Sequence, residues 1–394
     1  PSGILKSLLA IVIALHLWYD TSSGLCDVLL WGVTVYGLWH WRRAWAVWRC
    51  PAGIVFLLFV LFVLCSLPFS TSPSLSLRDV IKFARIAAPA WALPVLFPTR
   101  AKIRTALLYS AIAVTLILSA DLIRLMLLVK ADFFAEARFI EPFMLNHPNV
   151  SSMMAALAVW VWLDAGICRA RRPVLASLCF GGAAVALFYL VAMTSRGPQI
   201  AFAGSVAVLP LLLPSRRLRF ATGLLVLVAA ALVIPNAGKL NKRFQEKASL
   251  RNLSERTTVW CHTAALVREK PVIGYGFGKK VFEDVYYGSN PPESVFHFPH
   301  PHQYWLKTLF GSGAIGLMLL ATAWILLALR GFRNLQPVAG GARLPLALML
   351  LLQAACIHIY GLGDYPDGIV AASLVWLIPC LLVATRPVNE ESVT

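Results

Sequence analysis

The longest polar stretch of the chain, residues 236–303, reads NAGKLNKRFQEKASLRNLSERTTVWCHTAALVREKPVIGYGFGKKVFEDVYYGSNPPESVFHFPHPHQ and lies between long apolar runs. It contains ten lysines and arginines, and its last residues include His297, His300 and His302. Long connections without regular structure are uncommon in folded chains and often carry function. A cationic connection that ends in histidines beside an apolar segment indicates chemistry on an anionic substrate.

The composition of the 394 residues predicts an all-α integral membrane protein, because 59% of them are hydrophobic and only 13% are charged. Soluble domains carry about 25% charged residues. Apolar runs recur with the length of about 17–25 residues that spans a bilayer as a helix. Open sheets are excluded, because lipid offers backbone groups no hydrogen-bond partners. The eight cysteines form no C-x-x-C pair, so neither a zinc ribbon nor a disulfide framework is indicated.

Hydropathy predicts about twelve transmembrane helices. The predicted spans are 3–19, 25–41, 52–69, 78–97, 103–128, 148–167, 174–193, 199–213, 217–235, 304–329, 344–361 and 368–385. We therefore expect helices 1–9 within residues 1–235, a large outer loop at 236–303, and helices 10–12 with a tail at 304–394. Within the loop, residues 254–268 are predicted to be helical and 274–278 to form a flexible glycine-rich loop.

Every second connection between these spans is strongly basic. The basic residues are Lys6, Arg42, Arg43, Arg49, Arg100, Lys102, Arg104, Arg169, Arg171, Arg172, Arg216, Arg217, Arg219, Arg330, Arg333, Arg343 and Arg386. The short alternate connections YDTSSGLCD, FSTSPSLS and YGLGDYPDG contain no lysine or arginine. The positive-inside rule then places both termini in the cytoplasm and the large loop in a periplasm-like space.

Basic residues on the outer side are not explained by this rule, and several of them are candidates for binding an anion. Arg196 lies in a tight outer turn, Arg138 precedes the sixth span, and Arg256 and Arg251 lie in the large loop. Arginine suits phosphate because its guanidinium donates two parallel hydrogen bonds and stays charged. For Arg196, a helix-terminal role or a contact with lipid phosphate remains the alternative.

Arg78, Lys82 and Arg85 are spaced to lie on one face of the fourth predicted span, near its outer end. Charges within a membrane helix are rare and normally face the protein interior or a water-filled cavity. Two interpretations are open for this basic stripe: it binds an anionic substrate, or its side chains snorkel to lipid headgroups.

The histidines follow the spacing H-x-x-H-x-H, which leaves two kinds of chemistry open. A metal site would need converging ligands, and no H-E-x-x-H motif or cysteine pair supports one. A single histidine could instead act as a general base, because imidazole exchanges protons near neutral pH. His302 is the preferred base because it adjoins the tenth span. We expect His300 to face the same side of an extended segment.

An ordered set of motifs in the C-terminal half resembles the O-antigen ligase and polymerase superfamily. The motifs are SRG at 195–197, RxxxW at 256–260, PVIGYGFG at 271–278 and HQYxxxxxFGxxxxGL at 302–317. Gln303 stands where many members have Asn, which retains the amide group. The span count and the single large outer loop extend the resemblance to the whole chain and imply a GT-C-like fold.

The resemblance implies an inverting glycosyltransferase of the bacterial inner membrane that uses neither a metal nor another cofactor. The donor would be a glycan on undecaprenyl pyrophosphate, and a ligase would transfer it to a sugar hydroxyl of lipid A–core during lipopolysaccharide biosynthesis. An O-antigen polymerase and a protein O-oligosaccharyltransferase are the alternatives within the superfamily. A transporter of an anionic solute is the alternative from another class, although the external charges lie near one face and not at the bilayer midplane.

The expected site has one base and several cations. We expect His302, Arg196 and Arg256 to be catalytic. The residues expected to bind pyrophosphate are Arg138, Arg196, Arg256, Arg78, Lys82 and Arg85. The residues expected to support the site are His300, Arg251, Gln303 and Asp364, although Asp364 could serve only to shape a turn.

Overall fold

The computed structural model describes residues 24–128, 148–213, 247–296, 298, 300–335 and 346–363, together with 216, 219, 220, 223, 224 and 227. The predicted spans at 3–19 and 368–385 and most of the span at 217–235 lie outside these residues. So do three of the expected site residues or their neighbours, Arg138, His297 and Asp364.

The described residues form helices and contain no strand, as the composition predicts. The helices are α1 (Gly24–Trp39), α2 (Trp41–Trp48), α3 (Pro51–Ser66), α4 (Pro73–Leu96), α5 (Arg100–Leu128), α6 (Pro148–Cys168), α7 (Pro173–Ala192), α8 (Arg196–Leu212), α9 (Lys247–Glu269), α10 (Lys279–Gly288), α11 (Tyr304–Arg333) and α12 (Leu346–Gly363). Two short 3₁₀ segments occur at Leu67–Phe69 and Glu293–Val295.

Several helix boundaries follow from local chemistry. Pro51 and Pro173 stand at the starts of α3 and α7, where the missing N–H of proline costs no helical hydrogen bond. Gln303 caps α11, because its side-chain oxygen accepts a hydrogen bond from the backbone N–H of Leu306. The helix at α9 is longer than the predicted 254–268, since it begins at Lys247.

Six of the described helices are long and apolar enough to cross a membrane. They are Pro51–Phe69, Arg100–Leu128, Pro148–Cys168, Pro173–Ala192, Tyr304–Arg333 and Leu346–Gly363. The helices α1 and α8 coincide with predicted spans but have only 16 and 17 residues, and α4 carries the charges of the basic stripe. Membrane-helix character is therefore confirmed, whereas twelve spans and the outer position of the large loop stay predictions.

The helices α6 and α12 form the centre of the bundle. In the most apolar 18-residue stretch of each helix, 83% of the residues of α6 and 72% of those of α12 are buried, against 33% in α5 and α7. The α12 helix packs against α6, α8 and α11, and α6 also packs against α5 and α7. Interhelical hydrogen bonds cross this core, for example from the Gln353 side-chain amide to the Leu157 carbonyl at 3.0 Å.

Candidate functional site

The segment between α9 and α10 lies against a break in α11. The backbone N–H groups of Tyr275 and Gly276 donate to the carbonyls of Phe310 and Gly311 at 2.9 and 3.0 Å. In return, the N–H of Ala314 donates to the Pro271 carbonyl at 2.8 Å. These bonds satisfy groups that the break removes from the helical ladder. Residues 271–278, predicted to include a flexible loop, are therefore a hydrogen-bonded connection that fixes the large loop on α11.

Glycines are required on both sides of this connection. Gly313 interrupts α11 with φ 61° and ψ −169°, and Gly274 has φ 78°. A Cβ at Gly274 would lie 2.6 Å from the Phe310 carbonyl oxygen and 2.7 Å from the Gly313 nitrogen. Both the backbone conformation and the close approach of two chains therefore exclude a side chain at Gly274.

We expect Gly274→Ala to lower the thermal stability of the protein in detergent and its yield of folded material. Left-handed backbone costs an L-residue about 1–2 kcal/mol, and overpacking adds about 1–3 kcal/mol. Gly288→Ala is the matched control, because a Cβ there meets nothing within 4 Å. The prediction is checked by melting curves of both variants at equal concentration, and equal melting temperatures would contradict it.

The basic stripe of α4 lies beside the start of α10. Asp79 is buried between the charges of this stripe, and its Oδ2 accepts a hydrogen bond from the Lys280 backbone N–H at 3.0 Å, so it caps α10 from a separate helix. Lys82 forms an ion pair with Asp79 at 3.7 Å. The described contacts of Arg78 and Lys82 are with this corner and do not link them to the histidines, and a role in binding pyrophosphate stays a prediction.

A small core of α9, α10 and α11 makes the large loop rigid. Tyr275 stacks on Phe310, with ring centroids 4.8 Å apart, and its hydroxyl donates to Glu269 at 2.8 Å. Burial and this hydrogen bond raise the pKa of Tyr275 to about 12. His262 lies 2.7 Å from the Ser289 hydroxyl, and burial lowers the pKa of its imidazole. We infer that Tyr275 and His262 are neutral structural groups at neutral pH.

The histidine segment is held at the start of α11. The Trp260 indole N–H donates to the Pro301 carbonyl at 2.7 Å, which ties the segment to α9. The rings of His300 and His302 have centroids 3.9 Å apart, so the two side chains lie together as predicted. The expectation of an extended backbone is wrong at His302, where φ is 49°, a conformation that side chains rarely adopt.

His300 and His302 differ in their surroundings. His300 is buried, with 3% of its surface exposed, and its Nδ1 accepts a hydrogen bond from the His302 backbone N–H at 3.3 Å. His302 is half-buried and contacts Phe298 edge to face. Because His300 contacts the backbone of His302 and is itself buried, it can position His302, whereas the His302 side chain is partly exposed.

The end of α12, the segment Tyr360–Gly363, lies against one expected site residue and against the sequence neighbours of two others. Arg256 donates from its guanidinium to the Gly363 carbonyl. Tyr304, two residues after His302, packs closely on Gly361, because a Cβ added at Gly361 would lie 3.0 Å from the Tyr304 Cβ. A Cβ at Gly197, next to Arg196, would lie 2.9 Å from the Tyr360 ring. Residues far apart in the sequence are thus gathered at one end of the bundle by one helix terminus.

The turn before Arg196 is constrained. Thr194 has φ 46°, and the buried Ser195 hydroxyl donates to the Asn149 side chain at the start of α6. Arg196 is the first residue of α8. A cation is disfavoured by the helix dipole at this end. The turn therefore fixes the backbone from which Arg196 projects.

For two expected residues the structure describes only the position of the backbone. Arg251 lies in α9 and Arg85 in α4. Among the described residues, no group of three His, Cys, Asp or Glu side chains is arranged to hold a metal ion. Because His297 is outside these residues, independence of metal stays a prediction.

Comparison with protein-family models gives one match. Residues 181–321 match the O-antigen ligase family. The match confirms the resemblance and supports assignment to the O-antigen ligase superfamily. It runs from within α7 to within α11 and includes Arg196, Arg256 and His302. The assignment implies a glycosyltransferase-like enzyme with lipid-linked glycan substrates in a membrane environment. No match was found among curated proteins.

Two structural features outside the matched residues were not predicted from the sequence. Asp79 could have been noticed as the one acid inside a basic stripe, a pattern that indicates an internal partner. The end of α12 gave no signal, because nothing in the sequence of Tyr360–Gly363 shows which helices pack around it.

Proposed function

We propose that the chain is an O-antigen ligase. It would transfer a glycan from undecaprenyl pyrophosphate to a sugar hydroxyl of lipid A–core by an inverting, metal-independent reaction. The observation that carries this proposal is that Arg256 and the near neighbours of Arg196 and His302 lie against the end of α12. Two cations and a base near one helix terminus are the groups that departure of a pyrophosphate and activation of a hydroxyl require.

In this proposal His302 accepts the proton of the acceptor hydroxyl as its oxygen attacks the anomeric carbon. The bond from that carbon to the pyrophosphate oxygen breaks on the opposite face, and both bonding electrons leave with undecaprenyl pyrophosphate. Arg196 and Arg256 stabilise the charge that develops on the leaving group. Because this charge is larger in the transition state than in the bound donor, the arginines increase the rate and do not only tighten binding.

The position of His302 supports a base that is fixed before the substrate arrives. Its left-handed backbone costs about 1–3 kcal/mol at a residue other than glycine. The Trp260 bond to Pro301 and the Gln303 cap hold the residues on both sides of it. Strain of this kind persists only where the surroundings enforce it, and it clusters at active sites.

The test of this proposal is turnover by detergent-solubilised protein. The protein is incubated with undecaprenyl-pyrophosphate-linked glycan and either lipid A–core, a second molecule of donor or an acceptor peptide. We expect product with lipid A–core. Extension of the donor instead would identify a polymerase, and glycosylated peptide an oligosaccharyltransferase. A transporter would give no product with any acceptor, since transport has no meaning without a membrane.

We expect the transfer activity to survive strong chelation. The two described histidines of the motif contact each other and the backbone, and no cysteine or acidic residue completes a ligand set among the described residues. The measurement compares rates before and after dialysis against a chelator. Loss of activity that one divalent ion restores would assign a metal to the histidines and remove the base role of His302.

The proposed topology has a direct test in a truncation fused to a reporter near Tyr287. The distribution of lysine and arginine predicts that the large loop lies outside the cytoplasm. A reporter that is active only in the periplasm should therefore be active at Tyr287 and inactive after Arg216. Activity after Arg216 and none at Tyr287 would invert the topology.

A further inference from the structure

A large basic cavity lies at the far end of the bundle from the candidate site. It has a volume of about 1060 Å³ and is lined by the start of α5, the end of α6 and the connection to α7. Its charged lining residues are Arg100, Arg104, Asp164, Arg169, Arg171 and Arg172. Asp164 lies 15 residues after Asn149 on α6, so about 22 Å of helix separates the cavity from the turn before Arg196.

The inner wall of this basic cavity is built on one buried ion pair. Asp164 is 4% exposed, and its two carboxylate oxygens accept hydrogen bonds from Arg104 Nε at 3.1 Å and Nη2 at 3.4 Å. Arg169 donates to the Ala165 carbonyl at 3.2 Å. A buried carboxylate is stable only with such a partner. The pair therefore fixes the orientation of the Arg104 guanidinium within the wall.

The outer wall supplies cations beyond those that Asp164 neutralises. Arg171 and Arg172 are exposed, and among the described residues no carboxylate forms an ion pair with either. The lining holds five arginines and one aspartate. The positive-inside rule accounts for basic residues at this end of the bundle. It does not account for their arrangement around one cavity with an oriented guanidinium.

We propose that this basic cavity is a binding site for a phosphate group. Guanidinium groups recognise phosphate through paired hydrogen bonds, and basic pockets between membrane helices bind phosphorylated headgroups. The volume is at the upper end of the range for small-molecule sites, about 300–1,000 Å³, so a whole headgroup fits. The phosphate belongs either to an anionic phospholipid or to a free phosphate compound. The site is separate from the proposed transferase site and uses none of its residues.

The test measures binding to the full-length protein in detergent by titration calorimetry. The probes are short-chain phosphatidylglycerol, short-chain phosphatidylcholine and inorganic phosphate. We expect saturable binding of phosphatidylglycerol, and an affinity lowered about 30-fold in Arg171→Gln/Arg172→Gln, because this variant removes two arginines that each attract an anionic headgroup. The variant alters two exposed side chains and leaves the Arg104–Asp164 pair intact, so the fold should be retained.

The matched control is Arg42→Gln/Arg43→Gln, which removes the same charge from exposed positions outside the cavity. We expect its affinity for phosphatidylglycerol to stay within about twofold of the unmodified protein. Binding of inorganic phosphate that displaces the lipid would support a free phosphate compound as the ligand. Binding of phosphatidylglycerol without any binding of inorganic phosphate would support a lipid headgroup. Equal losses of affinity in both double variants would overturn the proposal. So would equal affinities for phosphatidylcholine and phosphatidylglycerol, or no saturable binding of either phosphatidylglycerol or inorganic phosphate. None of these readouts depends on glycan transfer.

Discussion

His302→Ala should lower glycan transfer by about 100-fold or more, the range that one general base contributes, while donor binding persists. The imidazole can accept the proton of an attacking hydroxyl, whereas the neighbouring arginines cannot. His302 also stands where α11 begins, next to the capping Gln303. The measurement is the initial rate of transfer with saturating donor, together with equilibrium binding of the lipid-linked donor to the same preparation.

Two further variants separate proton transfer from positioning at His302. His302→Gln retains a hydrogen-bonding side chain without a base, and His302→Asn does so with a residue that tolerates the observed φ of 49°. We expect both to be as slow as His302→Ala. Near-normal turnover in His302→Asn or His302→Gln would refute the base role and leave the arginines as the main catalytic groups.

His300→Ala provides an internal comparison. The His300 ring accepts the His302 backbone N–H and does not share the exposure of His302. We therefore expect a smaller loss of turnover than in His302→Ala. Because the His300 ring supports the conformation of His302, the loss should be accompanied by lower thermal stability.

The membrane helices could be predicted because the bilayer imposes length and composition directly on the sequence. The described residues form helices at nine of the twelve predicted spans, and six of these helices are long and apolar enough to cross a membrane; the other three spans lie wholly or mostly outside the described residues. The fourth span illustrates the limit of this approach. The α4 helix begins at Pro73, five residues before the predicted start, because its charged first half contacts the loop through Asp79 and Ser76. The partner in such a contact lies about 200 residues away in the sequence, so the periodicity of α4 gives no information about it.

The identities of the site residues were more accessible from the sequence than their arrangement. A histidine that ends a polar loop and an arginine in a tight outer turn are unusual local choices, so each could be selected from its neighbours. The packing of their segments depends on Tyr360–Gly363, which contributes a carbonyl, an aromatic ring and a glycine and none of the expected reactive groups. The glycine-rich segment illustrates the opposite error. Its composition indicated mobility, whereas its glycines serve close approach to α11.

Arg196→Ala should lower transfer by at least about 100-fold, the loss expected when one group that stabilises developing negative charge is removed. Arg196→Lys should recover only part of the rate, because one ammonium cannot reproduce the bidentate guanidinium. In the proposed site, the N–H groups at the start of α8 would attract the same anion as Arg196, so Arg196→Ala should remove only part of the anion binding. The measurement compares initial rates of both variants at equal expression, with Arg256→Ala expected to show a similar loss.

The control for Arg196 is Arg216→Ala, an exposed arginine that the distribution of charge places on the opposite side of the membrane. Its rate should match that of the unmodified protein. If Arg216→Ala and Arg196→Ala lose activity equally, the losses reflect folding or insertion, and the proposed role of Arg196 is wrong. A loss confined to Arg196→Ala, with partial recovery in Arg196→Lys, would instead separate the effect of the Arg196 charge from that of its paired hydrogen bonds. A lysine restores the charge without the paired hydrogen bonds, so the remaining deficit measures how much of the stabilisation depends on the geometry of the guanidinium.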